Sequence, residues 1–255
     1  MNNLEDWMME FFPDTGRHSL LLDASAGLSL GALPGLENFA EDLRPVLPHL
    51  DGLVCSPGQI QRLGNRTSID AALLVRMDWT NTLRSAAFPL PPETATRVSI
   101  LDAVDAIELG ASGMVLSFLL GYEEELEAAC LKATVQLALT GKELGLPLLV
   151  EVCPTGSRVV LRGKAIELGA SYAQESGADV VIVPHPGIAS LKTIASMLSV
   201  PWLLKPTSVG SYAEDWEEAM GLGASGLWLD HTWLEPSKPL AELAELVRKT
   251  PEGIG

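Results

Sequence analysis

Eight short apolar runs, each followed by turn residues and then by a segment of helical spacing, constrain this chain more than any other feature. They cover 19–23, 52–55, 72–78, 113–118, 147–153, 179–184, 201–205 and 226–230. Runs this short, rich in Val, Leu and Ile and bounded by turn residues, read as strands buried on both faces, the pattern of a parallel sheet. The segments between them predict helices over 36–47, 57–63, 100–109, 122–144, 161–176, 188–198, 212–221 and 240–248, with 1–12 as an extra N-terminal helix. Strand and helix alternate with no hairpin signal, and eight is the number that closes a barrel, so the fold predicted is α/β, a single (β/α)8 TIM barrel.

Local signals support the boundaries. Ser99 with Asp102, and Ser211 with Glu214, have the spacing of helix-opening caps. A phrase recurs where helix gives way to strand: Glu-Leu-Gly-Ala-Ser at 108–112, Glu-Ser-Gly-Ala-Asp at 175–179 and Gly-Leu-Gly-Ala-Ser at 221–225. These fit a glycine stop before a new strand. The copy at 167–171 falls inside a predicted helix, so Gly169 is read as tolerated there and Gly177 as the stop. No linker or composition shift divides the chain, so 1–255 is read as one domain.

At 255 residues and 47% hydrophobic, the chain is the size of one barrel. Thirty-three acidic against 17 basic residues, a formal charge of −16, would repel a nucleic-acid backbone or an anionic membrane, so neither is expected as a partner. The acidic start is too polar for a signal peptide and no apolar run reaches about 18 residues, which predicts a cytoplasmic protein. Cys55, Cys130 and Cys153 lack metal-site or disulfide spacing. Dinucleotide, P-loop and zinc motifs are missing, so no cofactor and no metal is expected.

Barrel active sites lie at the carboxyl ends of the strands. Lys205 closes the apolar run Val-Pro-Trp-Leu-Leu-Lys205 before a turn cluster, unlike the other lysines, which fall in polar helix or loop patterns. Asp23, Asp78, Ser117, Glu151, Cys153, His185, Asp230 and His231 stand at or beside the other strand ends. Each alone is more simply a capping or ion-pairing group. Together, one amine and several carboxylates at a barrel mouth are the equipment for iminium chemistry on a carbonyl compound. The candidate catalytic set is Lys205, Asp23, Glu151, Cys153, His185 and Asp230. Asp78, Thr80, Ser117, Thr207, Ser208 and His231 are candidates for binding substrate. Arg76, two residues before Asp78, shares its facing and is read as a buried partner for Glu151 or Asp78.

Asp23 and the stretch after it, with Leu-Pro-Gly-Leu-Glu-Asn at 33–38 the most specific part, resemble the first strand and loop of the archaeal-type class I fructose-bisphosphate aldolase family, within the deoxyribose-phosphate aldolase superfamily. Met77-Asp78-Trp79-Thr80, Gly121 with Glu123 to Glu125, Val152-Cys153-Pro154-Thr155-Gly156 and Gly177-Ala178-Asp179 follow in the family's order, so the likeness spans about 19–247. It implies the TIM barrel and carbon–carbon lyase or synthase chemistry. The departures matter as much. Ile182 occupies the place of the family's Schiff-base lysine, and Cys153 that of its proton-shuttling tyrosine. Pro206-Thr207 replaces the glycines of its phosphate loop, and Asp230-His231-Thr232 its Gly-Arg-Asn. Lys205-Pro206 resembles instead the Lys-Pro of the seventh strand in deoxyribose-phosphate aldolase. Two readings follow: a divergent lyase or synthase of a small carbonyl compound, not a sugar bisphosphate, using Lys205 as the amine; or a catalytically inactive barrel serving as a binding or assembly module, with Lys205 in an ion pair. A homo-oligomer is left open.

Overall fold

The computed structural model describes Trp7, Phe11, Phe12 and residues 18–32, 36–63, 70–206, 212–234 and 240–248. Eight parallel strands close a barrel: β1 (Ser19–Asp23), β2 (Gly52–Cys55), β3 (Ala72–Arg76), β6 (Gly113–Leu119), β7 (Leu148–Cys153), β8 (Val180–Pro184), β9 (Trp202–Lys205) and β10 (Gly226–Asp230). β1 closes the ring by pairing with both β2 and β10, Asp23 lying level with Asp230. The described helices are α1 (Gly27–Leu30), α2 (Phe39–Leu43), α3 (Pro57–Arg62), α4 (Ala103–Glu108), α5 (Glu124–Leu144), α6 (Arg162–Glu175), α7 (Ile188–Met197), α8 (Tyr212–Met220) and α9 (Leu240–Arg248). None is long and apolar enough to cross a membrane. Between the strands and the helices lies a continuous apolar layer, from Leu20 and Leu22 on β1 to Leu243 and Val247 on α9.

Alternation along a strand puts every second side chain into the barrel. Leu21, Val54, Leu74, Val115, Leu149, Val180, Leu203 and Trp228 occupy these inward positions and pack as one cluster. Trp7 and Phe11 join that cluster from the amino-terminal end, their rings stacked at 4.6 Å. The rest of the predicted N-terminal helix, save Phe12, lies outside the described residues. Two positions further along seven of the strands, the inward side chains are Asp23, Arg76, Ser117, Glu151, Ile182, Lys205 and Asp230, while Ser56, just past β2, caps α3 instead. The interior is therefore hydrocarbon below and almost wholly polar one layer higher, toward the mouth.

The third predicted strand is corrected. It ends at Arg76, and after Met77 the chain leaves the barrel as β4 (Asp78–Thr80), an antiparallel ribbon with β5 (Arg97–Ser99). A single apolar run concealed two strands because Met77, fully buried, carries the hydrophobic pattern across the break. The cap expected from Ser99 is also corrected. Asp102 opens α4, accepting from the backbone of Val104 and Asp105, while Asp105 reaches back to the Asp102 N–H. The helix predicted over 36–47 is reduced to α2 and a separate 3-10 turn, Leu47–His49. The cap expected at Ser211 lies outside the described residues.

Gly169 shows why the recurring phrase can sit inside a helix. A Cβ there would lie 2.4 Å from Leu120 and 2.6 Å from Val152, so its absence lets α6 approach the strands closely. Gly177, with φ +95°, is the residue that turns the chain out of α6.

Candidate active site

The upper inward layer opens into a cavity of about 340 Å³ at the carboxyl ends of the strands. Asp23, Arg76, Ser117, Glu151, Lys205 and Asp230 form its floor and sides, joined by Asp78, Thr80, Cys153 and His231. Period-two alternation brings the first six together: they share one facing, although they come from six strands.

Arg76 is the hub. Its Nε donates to Ser25 Oγ at 3.2 Å and its Nη1 to Ser117 Oγ at 3.1 Å. Its Nη2 is shared between Asp23 at 2.5 Å and Glu151 at 3.1 Å. Both predicted partners of Arg76 were carboxylates, but the structure selects Asp23 alongside Glu151, and Asp78 has gone elsewhere. Ser25, absent from the sequence-based candidates, also donates its hydroxyl to Asp23 at 2.5 Å. The Asp-Ala-Ser spacing is that of a local side-chain turn and offered the signal.

Lys205 Nζ lies 2.8 Å from Glu151 Oε1, and its side chain is 30% exposed, against 8% for Glu151. Burial pushes the Glu151 carboxyl up, but Lys205 and then Arg76 outweigh it and hold it at about 2. Burial likewise pushes the Lys205 ammonium down, and Glu151, followed by Cys153 and Asp230, more than reverses this, so it stays charged well above neutral pH. Burial and the neighbouring Glu151 raise the Cys153 thiol, which keeps it protonated. Ile182, level with Glu151 on one side and Leu203 on the other, is fully buried beneath the mouth.

Asp78 borders the cavity with its carboxylate sealed from water. It accepts from Arg97 Nε at 2.9 Å and from the Ser117 N–H at 3.3 Å. Burial raises its pKa by more than Arg97 and Arg76 lower it. Sequence reasoning missed Arg97, which sits beyond a long connection with no periodic signal. Thr80 is bonded to Thr82 and to the Thr96 carbonyl. Asp230 accepts from both the N–H and the hydroxyl of Thr232, at 2.9 and 2.6 Å.

His185 stands apart from the cavity lining. Its backbone N–H donates to the Lys205 carbonyl at 2.9 Å, but its ring faces α8, with Nε2 3.6 Å from Glu218 and 3.9 Å from Asp215. Thr207 and Ser208 lie outside the described residues. Among those described, no group of three or more His, Cys, Asp or Glu side chains is arranged to hold a metal ion.

No protein-family profile matches the chain. Among curated proteins it is 24% identical over 196 residues to 2-amino-3,7-dideoxy-D-threo-hept-6-ulosonate synthase 1 of Archaeoglobus fulgidus, covering 76% of this chain and 71% of that one. It is 25% identical over 182 residues to the 3-hydroxy-5-phosphonooxypentane-2,4-dione thiolase of Escherichia coli, covering 69% and 58% respectively, so the match spans less than two thirds of that relative. Among solved structures, an archaeal fructose 1,6-bisphosphate aldolase superposes with a TM-score of 0.78 at 20% identity, covering 96% of this chain and 99% of that one. Archaeal-type class I fructose-bisphosphate aldolase family members, the family that the stretch from Asp23 to Asn38 resembles, are thus among the homologues and fold neighbours of this chain.

Proposed function

We propose that the chain is an aldolase-type lyase or synthase of a small carbonyl compound, with Lys205 forming the iminium. The observation that carries this reading is the placement of the Lys205 amine at the strand ends, in the cavity and in hydrogen-bond contact with Glu151. A charged ammonium cannot add to a carbonyl, so Lys205, 30% exposed, first gives a proton to solvent against the pull of Glu151 2.8 Å away. The free amine then attacks the carbonyl carbon, and the carbinolamine hydroxyl takes up a proton from solvent and leaves as water. The iminium so formed draws electrons from the bond between its α and β carbons, the β-hydroxyl carbon leaving as an aldehyde, and the enamine left on Lys205 takes up a proton and is hydrolysed by water. Asp23 and Asp230, level with each other on β1 and β10, are the carboxylates available for the substrate hydroxyl proton.

Support also comes from the homologues, whose names describe a synthase and a thiolase of carbonyl compounds. The substrate proposed here differs from the phosphorylated dione of the second. The Thr232 N–H, a donor that the loop after β10 could offer to a phosphate, is taken by Asp230. The surplus of acidic groups also disfavours a bisphosphate.

One observation favours the second reading, a barrel that binds without reacting: the ion pair holds Lys205 charged at rest. Turnover separates the two. With a panel of small hydroxy ketones, the proposal expects release of an aldehyde from at least one, and a fall of about 10³-fold or more in Lys205→Met. Cleavage of none, or equal cleavage by Lys205→Met, refutes the lyase assignment. Fructose 1,6-bisphosphate cleaved at about 1 per second or faster refutes the substrate class.

A further inference from the structure

The charged ring at the cavity floor has spent most of its hydrogen-bonding capacity on itself. All three nitrogens of Arg76 are committed within the protein. Asp78 is held by Arg97, Asp230 by Thr232, Thr80 by the Thr96 carbonyl, and Thr155 accepts from the Tyr122 hydroxyl at 2.9 Å. Lys205, with three N–H donors, one of them on Glu151, and 30% exposure, keeps donors to offer. Above the ring the wall changes character. Leu119, two positions beyond Ser117, presents carbon one layer nearer the mouth, and Leu28, Leu30, Leu83, Pro154 and Pro184 continue that surface. Arg84 donates to the Ser29 carbonyl at 2.9 Å, which fastens the connection carrying Leu83 to α1, where Leu28 and Leu30 sit.

A polyol brought into this space would give up water at each hydroxyl and regain partners only beside Lys205, Asp23, Asp230, His231 and Arg162, while along the leucine and proline wall its hydroxyls would meet hydrocarbon. A hydrocarbon arm would lose nothing polar and would shed its own hydration. We infer that the carbonyl compound this cavity accepts is amphipathic: a short aldehyde or ketone whose polar head reaches Lys205 and whose aliphatic or aromatic arm lies along Leu28, Leu30, Leu83 and Pro154. The inference rests on the reading of the cavity as a carbonyl site and narrows its substrate class.

The test needs no imine. Titration of the full chain with 1-butanol, 1-pentanol and 1-hexanol, followed by amide NMR shifts at the cavity, is expected to show affinity rising about fourfold per methylene. Erythritol and sorbitol are expected to bind more weakly than the alkanols of equal carbon number. Leu83→Gln, on a half-exposed loop where folding is not at stake, and Leu28→Asn are expected to flatten the alkanol series. A flat series in the unaltered protein, or a polyol binding as tightly as its alkanol, overturns the inference. If the series holds while no aldehyde is trapped on Lys205, the amphipathic pocket stands and the imine chemistry falls.

Discussion

Two buried ion pairs flank the same cavity and titrate in opposite directions. In Asp78–Arg97 the side chains are 0% and 3% exposed, and the carboxyl pKa is raised because the cost of burial exceeds what Arg97 and Arg76 return. In Glu151–Lys205 they are 8% and 30% exposed, and the carboxyl is held down to about 2 because Lys205 and Arg76 together outweigh burial. A sealed carboxylate bonded to one guanidinium, with a second acting only from a distance, remains undercompensated, whereas one hydrogen-bonded by two cations is overcompensated. The first pair ties β4 to β5 within the ribbon, which Asp78 fastens to the barrel by accepting from the Ser117 N–H; the second faces a space that a ligand can enter. Burial and pairing alone do not mark a functional group. Access to the cavity does.

The largest effect should come from breaking the sealed pair. Arg97→Met leaves the Asp78 carboxylate buried with no adjoining cation but Arg76, and urea unfolding should show a loss of about 3–5 kcal/mol. A loss under about 1 kcal/mol would mean that water reaches Asp78 and that the two pairs do not differ as described. Lys205→Met should cost much less, about 1 kcal/mol, since Glu151 keeps Arg76 and the lysine is partly solvated. Should both variants lose equal stability, the lysine would be a structural cation like Arg97.

The pH dependence is a finer discriminator. Glu151, with its folded pKa depressed, contributes stability that is present above its unfolded value near 4.5 and is lost as pH falls toward about 2. Asp78, with its folded pKa raised above 3.8, acts in the opposite sense: its contribution is fully present below the unfolded value and fades as pH rises through the folded one. Lys205, raised above 10.5, contributes below that value and loses its contribution as pH rises beyond it. Glu151→Gln should therefore flatten the acid side of the stability profile below about pH 4.5. Carboxyl-carbon NMR should show Asp78 protonating before Glu151 on acidification, and the reverse order would remove the contrast.

The barrel was legible because Leu21, Leu74, Val115, Leu149 and their counterparts repeat one pattern on eight strands. The polar layer was legible in part for the same reason, since Asp23, Lys205 and Asp230 each end such a run and Glu151 stands two residues before the end of its own. What the pattern could not give was partnership. Arg76 could face either of two carboxylates by alternation alone, and the choice was made by β4 leaving the barrel at Met77 and carrying Asp78 to Arg97. His185 follows a strand end as the candidates do, but the loop after β8 turns its ring toward α8, and nothing in strand periodicity encodes that turn.

The central claim is that the Lys205 amine reacts with a carbonyl while the Arg97 pair stays structural. It is tested most directly by borohydride reduction in the presence of small aldehydes and ketones, followed by intact-mass and peptide mapping. The account predicts one covalent adduct, located on Lys205. Its yield should rise with pH as the ammonium gives up its proton, and it should vanish in Lys205→Met with the barrel still folded. No adduct with any carbonyl at any pH up to about 10, or an adduct that survives Lys205→Met unchanged, would contradict it.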